Sequence, residues 1–163
     1  MNSIYLLLGS NLGDRLANLR RVCELLIVER IAIRKESSIY ETAAWGVEDQ
    51  PTFLNQVVEI ETSRTPERLL ALTQAIELEM GRKRVTKWGE RLIDIDILYC
   101  EEVILNKPEL IIPHPEIQNR RFTLVPMVEI APDFEHPVLK VNQQKLLDNC
   151  PDELEVLPFS IDY

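Results

Sequence analysis

Two aspartates with the spacing of a metal-binding pair lie in an apolar stretch near the middle of the chain. Asp94 and Asp96 alternate with three isoleucines in the segment Leu92–Leu98. Successive side chains of a β-strand point to opposite faces, so the alternation predicts a strand with both carboxylates on one face. Two neighbouring carboxylates repel each other unless a cation lies between them, and Mg²⁺ takes oxygen ligands together with substrate phosphates. Mg²⁺ is therefore the natural candidate if a cation binds this segment.

A basic segment precedes this strand. Its five cationic residues are Arg82, Lys83, Arg84, Lys87 and Arg91. Guanidinium groups bind phosphate oxygens through paired hydrogen bonds, and carboxylates for metal with arginines for phosphate are what phosphoryl transfer requires. A strand with one solvated face is the better explanation of the aspartates alone, since short motifs often arise by chance. The adjoining basic segment favours phosphoryl transfer.

Composition and charge limit the class of protein. The length of 163 residues predicts one domain, residues 1–163, and 45% apolar with 28% charged residues is ordinary for a globular chain. The net charge of −9 argues against a nonspecific nucleic-acid binder. Three widely spaced cysteines without a CxxC pair predict reduced thiols. No signal-peptide pattern or long apolar run occurs, so we expect a cytoplasmic protein without a membrane span.

The hydrophobic pattern orders the chain as strand, helix, strand, strand, helix, strand and then shorter pieces. Strands are predicted at Ser3–Leu8, Ile31–Glu41, Phe53–Thr62 and Leu92–Leu98, with helices at Leu16–Glu29 and from the cap Thr65 to Gly81. Further predictions are a hairpin partner at Val103–Leu105, a strand at Leu110–Ile112, helices at Thr123–Ile130 (with Pro126 in the first turn) and Asn142–Asn149, and a strand at Glu155–Phe159. This order predicts an α+β sandwich of the ferredoxin-like kind, mainly antiparallel, with helices packed on the faces of the sheet.

Several residues have two interpretations on pattern alone. Trp45 lies in Thr42–Pro51, a connection long enough to be functional, but a single aromatic also covers core edges. Asn55 interrupts an apolar strand pattern, so it is either solvated or a ligand contact. Gln74 and Glu77 share one helical face, for which spacing alone favours an ordinary solvated face.

Seven stretches in one order carry a family resemblance. They are Leu8–Arg15 (LGSNLGDR), Tyr40–Thr42 (YET), Phe53–Asn55 (FLN), Gly81–Arg84 (GRKR), Trp88–Leu98 (WGERLIDIDIL), Ile112–Pro115 (IPHP) and Asn119–Pro132 (NRRFTLVPMVEIAP). With these motifs the chain resembles the 6-hydroxymethyl-7,8-dihydropterin pyrophosphokinases of folate biosynthesis. The resemblance implies transfer of pyrophosphate from the co-substrate ATP to the pterin hydroxymethyl group, giving AMP and the pterin diphosphate. It also implies two Mg²⁺ ions, a monomer, and at most a weak association with the next folate enzyme.

The same resemblance implies roles for the residues that match. Asp94 and Asp96 hold the metal, and Arg82 and Arg91 are catalytic residues on a mobile lid, Arg82–Arg91. The implied ATP contacts are Gln74, Glu77, Arg84, Trp88, His114 and Arg120. The implied pterin contacts are Thr42, Trp45, Phe53, Asn55 and Phe122, with the two phenylalanines enclosing the ring. Position 53 is commonly tyrosine in the family, so Phe53 keeps the ring face and loses a hydroxyl.

Two other functions compete with this interpretation. A different Mg²⁺-dependent nucleotidyl or phosphoryl transferase needs the aspartates and arginines but not the two phenylalanines. A noncatalytic ferredoxin-like module for RNA places aromatic residues on a basic sheet face. The net charge of −9 and the aspartate pair argue against the RNA module.

Overall fold

The fold is built on a six-stranded antiparallel sheet, seen here in a computed structural model that describes residues 3–43, 51–81 and 92–160. The strands of the described residues are β1 (Ser3–Ser10), β2 (Ala32–Glu36), β3 (Tyr40–Thr42), β4 (Phe53–Glu61), β5 (Asp94–Cys100), β6 (Leu105–Lys107), β7 (Leu110–Ile112) and β8 (Val156–Pro158). The helices are α1 (Arg15–Val28), α2 (Pro66–Glu79), α3 (Arg121–Ile130) and α4 (Gln143–Asp148), with a 3₁₀ turn at Ile117–Asn119.

The strand order confirms the predicted α+β architecture. The main sheet runs β5-β1-β4-β3-β8, β2 also pairs with β4, and these pairs are antiparallel. Helix α1 connects β1 to β2, and α2 connects β4 to β5. In the sheet, β1 lies between β4 and β5, the two strands that α2 connects. This is the ferredoxin-like βαββαβ arrangement.

Strand β1 is buried on both faces, which makes the molecule three-layered. Ile4, Leu6 and Leu8 belong to a core shared with α1 and α2. The alternate residues Tyr5 and Leu7 belong to a second core shared with α3 and α4. A strand that is covered on both faces has a continuous run of apolar residues, and this run is why the sequence predicts a strand at Ser3–Leu8. None of the helices in the described ranges has the length and apolarity to cross a membrane.

Local capping fixes where the two large helices begin. The Asp14 carboxylate accepts a hydrogen bond from the Ala17 N–H at 3.1 Å, and the Thr65 hydroxyl accepts one from the Arg68 N–H at 3.3 Å. Both are N-cap contacts that satisfy an otherwise unpaired amide of the first turn. The predicted helix starts are confirmed to within one residue.

One predicted strand is interrupted. The prediction of a continuous strand at Ile31–Glu41 is wrong, because the chain forms β2 and β3 with residues 37–39 between them. The Ser37 N–H donates to the Val57 carbonyl at 2.9 Å, and the Ser37 hydroxyl accepts from the Val57 N–H at 3.0 Å. A side chain therefore replaces one backbone acceptor, and the ladder is broken at that point.

Two predictions for the second half of the chain are also wrong. The segment Val103–Leu105 does not form a hairpin with β5, because β6 pairs with β7 instead, across a turn at residues 108–109. Pro126 is not in the first turn of its helix, because α3 begins at Arg121 and places Pro126 sixth. A proline has no N–H to donate to the carbonyl four residues earlier, so the Phe122 carbonyl receives no helical bond from that position.

We predict that acidification weakens the fold through His136. This residue is 5% exposed, and its Nδ1 accepts hydrogen bonds from the N–H groups of Val138 and Leu139 at 3.2 and 3.0 Å. Burial lowers the pKa of His136. As the pH falls, His136 is therefore protonated in the unfolded chain before it is protonated in the folded one. The contribution of neutral His136 to the free energy of unfolding is fully present above pH about 6.5 and decreases below it.

The measurement is the urea midpoint at pH 7.5 and pH 5.5 for the wild type and for His136→Asn. Asparagine keeps a polar acceptor near the Nδ1 position and does not titrate. We expect a shallower decline of the midpoint for the variant than for the wild type. An equal decline in both proteins contradicts the assignment to His136.

Candidate active site

The aspartate pair lies on one face at the start of β5, as predicted. Asp94 and Asp96 are half-buried, while Ile95 and Ile97 are 6% and 4% exposed in the core that α1 and α2 share. In the register with β1, Asp94 lies opposite Gly9 and Asp96 opposite Leu7. Leu7 belongs to the second core, so the carboxylates are on the face of the sheet that α3 covers.

Glu77 supports the backbone between the two aspartates. Its carboxylate accepts a hydrogen bond from the Ile95 N–H at 3.2 Å, and the residue is 5% exposed. The expectation of a solvated face is wrong for Glu77 and correct for Gln74, which is exposed. A carboxylate bonded to a backbone amide holds that strand position in place. The ATP contacts proposed for Gln74 and Glu77 stay predictions.

Glycine at position 9 lets Asn55 and Phe53 pack closely against β1 beside Asp94. The register places Asp94, Gly9 and Asn55 in one row across β5, β1 and β4. A Cβ atom at Gly9 would lie 3.1 Å from the Asn55 Oδ1 atom and 3.6 Å from the Phe53 Cδ1 atom. A side chain there would require the Asn55 side chain to shift by a few tenths of an ångström, so glycine lets both residues lie close to β1.

The orientation of Asn55 is set by Thr42. The Asn55 Nδ2 atom donates to the Thr42 Oγ1 atom at 2.9 Å, and each residue is 3% exposed. With its amide nitrogen bonded to Thr42, Asn55 turns its Oδ1 atom toward Gly9. The solvated interpretation of Asn55 is thus excluded. A buried, fixed acceptor is the kind of group that reads one edge of a ligand.

Residues 114–122 contribute a positive and aromatic border. The His114 N–H donates to the Leu98 carbonyl at 3.0 Å, and its Nδ1 accepts from the Glu116 N–H at 3.1 Å. Burial, the largest cause, lowers the pKa of His114 below its usual value, while the negative charge of Asp96 opposes this shift and the positive charge of Arg120 adds to it. His114 therefore lies within electrostatic reach of both Asp96 and Arg120.

The predicted pterin-facing Phe122 lies beside Arg120. The Arg120 guanidinium carbon is 5.7 Å from the centroid of the Phe122 ring, a cation–π distance. Phe122 is half-buried in the first turn of α3, and Phe53 is half-buried at the start of β4. Both phenylalanines are therefore partly accessible to a ligand, unlike ordinary core aromatics.

Five predicted site residues lie outside the described residues. They are Trp45, Arg82, Arg84, Trp88 and Arg91. The predicted lid Arg82–Arg91 also lies outside the described residues.

The described part of the site fits a hard divalent cation completed by substrate. In residues 3–43, 51–81 and 92–160, no cluster of three or more histidine, cysteine, aspartate or glutamate side chains is arranged to hold a metal. The two carboxylates of Asp94 and Asp96 share one face. Mg²⁺ is commonly bound by one or two carboxylates together with substrate phosphates, so this donor set suits it.

Sequence reasoning missed two residues that shape the site. Gly9 has a sequence signal, since it is a glycine directly after the apolar run that predicts β1. Asn18 has none, because an asparagine in a helix is usually solvated. Its Nδ2 atom lies within hydrogen-bond distance of Ser10 Oγ, the Leu12 carbonyl and the Leu92 carbonyl, at 3.1, 2.9 and 3.1 Å. Asn18 thus ties α1 to the end of β1 and to the residues before β5.

Fold and site together define a ferredoxin-like α+β domain with a pair of carboxylates on one sheet face, where Asp94 shares a register row with the buried Asn55. The model of the 7,8-dihydro-6-hydroxymethylpterin-pyrophosphokinase (HPPK) family matches residues 5–132, and the chain belongs to this family.

Named relatives agree with this membership. The chain is 42% identical over 140 residues to the 2-amino-4-hydroxy-6-hydroxymethyldihydropteridine pyrophosphokinase of Aquifex aeolicus, covering 86% of this chain and 87% of the relative. It is 47% identical over 137 residues to the enzyme of that name from Bacillus subtilis, covering 83% and 82%. It is also 39% identical over 150 residues to the folic acid synthesis protein fol1 of Schizosaccharomyces pombe, covering 91% of this chain and 20% of that longer protein.

Solved structures share the fold at low sequence identity. An HPPK-DHPS crystal structure in complex with substrates superposes with a TM-score of 0.72 at 15% identity, covering 90% of this chain and 43% of that chain. The Plasmodium falciparum HPPK-DHPS structure with SDX-DHP gives a TM-score of 0.68 at 17% identity, covering 91% and 43%. The chain thus spans less than half the length of these two proteins, and the likeness to them establishes the fold.

Proposed function

We propose that the chain transfers the pyrophosphoryl group of ATP to the hydroxymethyl group of 6-hydroxymethyl-7,8-dihydropterin, giving AMP and the pterin diphosphate in folate biosynthesis. Its membership of the pyrophosphokinase family supports this reaction. The structural observation that carries it is the row Asp94–Gly9–Asn55 across three strands. That row sets Asp94 next to the fixed polar acceptor Asn55, so both substrates can meet on one sheet face. We call the proposed pterin-binding region at Asn55, Phe53 and Phe122 the slot.

The slot matches the chemistry of a pterin. A flat heterocycle is bound by aromatic faces together with a few fixed polar groups at its edge. Phe53 and Phe122 offer the ring faces, and Asn55 offers an amide oxygen oriented by Thr42. The missing side chain at Gly9 lets Asn55 and Phe53 lie close to β1. Trp45 completes the proposed set of pterin contacts.

The phosphate side of the site is proposed from the charged residues. Asp94 and Asp96 would hold the magnesium, two ions by family resemblance, and bound Mg²⁺ neutralises charge on the ATP phosphates. Arg82 and Arg91 would bind the transferred phosphates. The proposed ATP contacts are Gln74, Glu77, Arg84, Trp88, His114 and Arg120.

The proposed reaction is an in-line displacement. The pterin hydroxyl oxygen attacks the β-phosphorus of ATP, the bond from that phosphorus to the AMP oxygen breaks, and the hydroxyl proton leaves to solvent or a base. Asp96 is a poor base for this proton, since a carboxylate that ligates a metal has little basicity. The protein would therefore act by orienting the two substrates and by neutralising the negative charge on the transferred phosphates.

The proposed setting is a monomer in the cytoplasm. Cys23, Cys100 and Cys150 are free, which supports a reducing compartment. The fol1 and HPPK-DHPS relatives are much longer chains, which supports a weak association of this chain with the next folate enzyme. Sedimentation of the purified chain tests the monomer.

The decisive experiment is an assay of AMP from ATP, Mg²⁺ and 6-hydroxymethyl-7,8-dihydropterin. We expect AMP in equal amount to the pterin diphosphate, and none when either pterin or Mg²⁺ is omitted. Calorimetry with a nonhydrolysable ATP analogue and Mg²⁺ should show pterin binding. AMP formed without pterin, or no pterin association in the calorimeter, favours another Mg²⁺-dependent transferase and contradicts the proposal.

A further inference from the structure

We propose that Arg15 is a positioning residue that fixes the two strand ends forming the pterin slot. Arg15 is the first residue of α1 and the last of the LGSNLGDR stretch, and none of the roles given above falls to it. The inference rests on the proposed function, because it concerns the affinity of the slot for its substrate. It does not require Arg15 to touch the substrate.

The guanidinium group of Arg15 joins two segments that are distant in sequence. Its Nη1 atom donates to the Glu41 carboxylate at 2.9 Å, to the Thr52 hydroxyl at 2.8 Å and to the Thr52 carbonyl at 3.1 Å. The Thr52 hydroxyl in turn donates to the same Glu41 oxygen at 2.9 Å. The three residues therefore form a closed triangle of hydrogen bonds, which we call the Arg15 clasp.

The clasp acts on the residues directly next to two proposed pterin contacts. Glu41 immediately precedes Thr42, and Thr52 immediately precedes Phe53. Thr42 and Phe53 are register partners in the β3–β4 pair. Moving Glu41 or Thr52 would thus move the residue that orients Asn55 or the ring that faces the slot.

Neighbouring contacts hold the clasp in place. The Arg15 guanidinium carbon lies 5.8 Å from the centroid of the Phe159 ring, and the Phe159 N–H donates to the Ile39 carbonyl at 2.8 Å. From the same turn before α1, the Asn11 Nδ2 atom donates to the Pro51 carbonyl at 3.3 Å. The first residue of α1 thus contacts β3, and the turn before α1 contacts the residues that enter β4.

The charge state of Glu41 favours a permanent clasp at neutral pH. The hydrogen bonds from Arg15 and Thr52 lower the pKa of the Glu41 carboxyl below its usual range. The side chains of Arg15 and Glu41 are 25% and 37% exposed, and such partly exposed pairs contribute little to global stability. A large effect of Arg15 on substrate affinity, with little change in melting temperature, therefore distinguishes positioning from a general structural role.

The test compares Arg15→Ala with Arg21→Ala. Arg21 lies on the same helix and pairs with Glu24 on the exposed surface at 3.2 Å. Arg21→Ala therefore removes the same charge and makes the same substitution in α1 as Arg15→Ala. We expect Arg15→Ala to raise KM for the pterin by about 5- to 10-fold, the effect of losing a partly exposed charge-assisted network. The KM for ATP and the melting temperature should match those of Arg21→Ala. Arg15→Lys should recover part of the pterin affinity.

A second variant keeps the proposal testable if Arg15→Ala folds poorly. Thr52→Val removes only the hydroxyl of the clasp, and it should raise KM for the pterin in the same direction by a smaller factor. Unchanged KM for the pterin in Arg15→Ala, or an equal rise for ATP and pterin, overturns the inference. If neither the wild type nor Arg21→Ala forms AMP, the proposed function is wrong. If both form AMP and Arg15→Ala has the same KM for the pterin as they do, only the inference on Arg15 is wrong.

Discussion

Replacing Asp94 and Asp96 together by asparagine should abolish AMP release, with kcat/KM lower by at least about 10³-fold. The two carboxylates share one half-buried sheet face, and asparagine keeps their shape while removing both charges. Without them the site loses the donors proposed for Mg²⁺. Chromatographic measurement of AMP at saturating ATP and Mg²⁺ checks the expectation.

Folding of this variant can be predicted separately. Asparagine keeps the size of each side chain and an oxygen that can accept a hydrogen bond, so the half-buried face keeps its packing. We expect a melting temperature in the absence of Mg²⁺ close to that of the wild type. Asp133→Asn, at an exposed aspartate, is the matched control and should keep full activity. Undiminished turnover in the double variant would remove the metal assignment.

Truncating Asn55 to alanine should raise KM for the pterin strongly and lower kcat/KM by about 10²-fold. The Asn55 Oδ1 atom lies over Gly9, and its amide nitrogen donates to the Thr42 hydroxyl. In the variant, the hydrogen-bond donor of the ligand that would pair with Asn55 Oδ1 is buried without a partner, which weakens binding. The same change leaves the Thr42 hydroxyl without this partner, so stability should fall by about 1–2 kcal/mol. Steady-state kinetics and urea unfolding measure the two effects.

The neighbouring residue provides the control for this stability loss. Gln56 alternates with Asn55 along β4 and points to the other face, where its Nε2 atom donates to the Ser37 carbonyl at 2.9 Å. Gln56→Ala removes a comparable buried hydrogen bond without reaching the slot. We expect its KM for the pterin to stay near the wild-type value. Equal KM values in Asn55→Ala and Gln56→Ala would show that Asn55 does not read the substrate.

Features set by neighbours in sequence were predictable. The alternation around Asp94 and Asp96 gives their shared face, because strand geometry alone fixes it. The caps Asp14 and Thr65 are equally local, since each bonds an amide three residues away. The order of strands and helices then limits the fold to a small number of arrangements.

Features set by register were not predictable. The row Asp94–Gly9–Asn55 depends on how β1 pairs with β4 and β5, which no local pattern states. Glu77 looks like a solvated helix residue until β5 brings the Ile95 N–H within 3.2 Å. The break at Ser37 likewise depends on Val57, 20 residues away.

The short strand β8 has a consequence for self-association. It pairs with β3 through Tyr40–Pro158, Glu41–Leu157 and Thr42–Val156, and so covers what would be an open sheet margin. Open margins recruit strands from other copies, and short margins containing proline resist this. At the opposite margin, Glu77 and His114 bond the backbone of β5. The margins at β8 and β5 are thereby protected from strand addition, and β2 is the margin of the described sheet that neither arrangement covers.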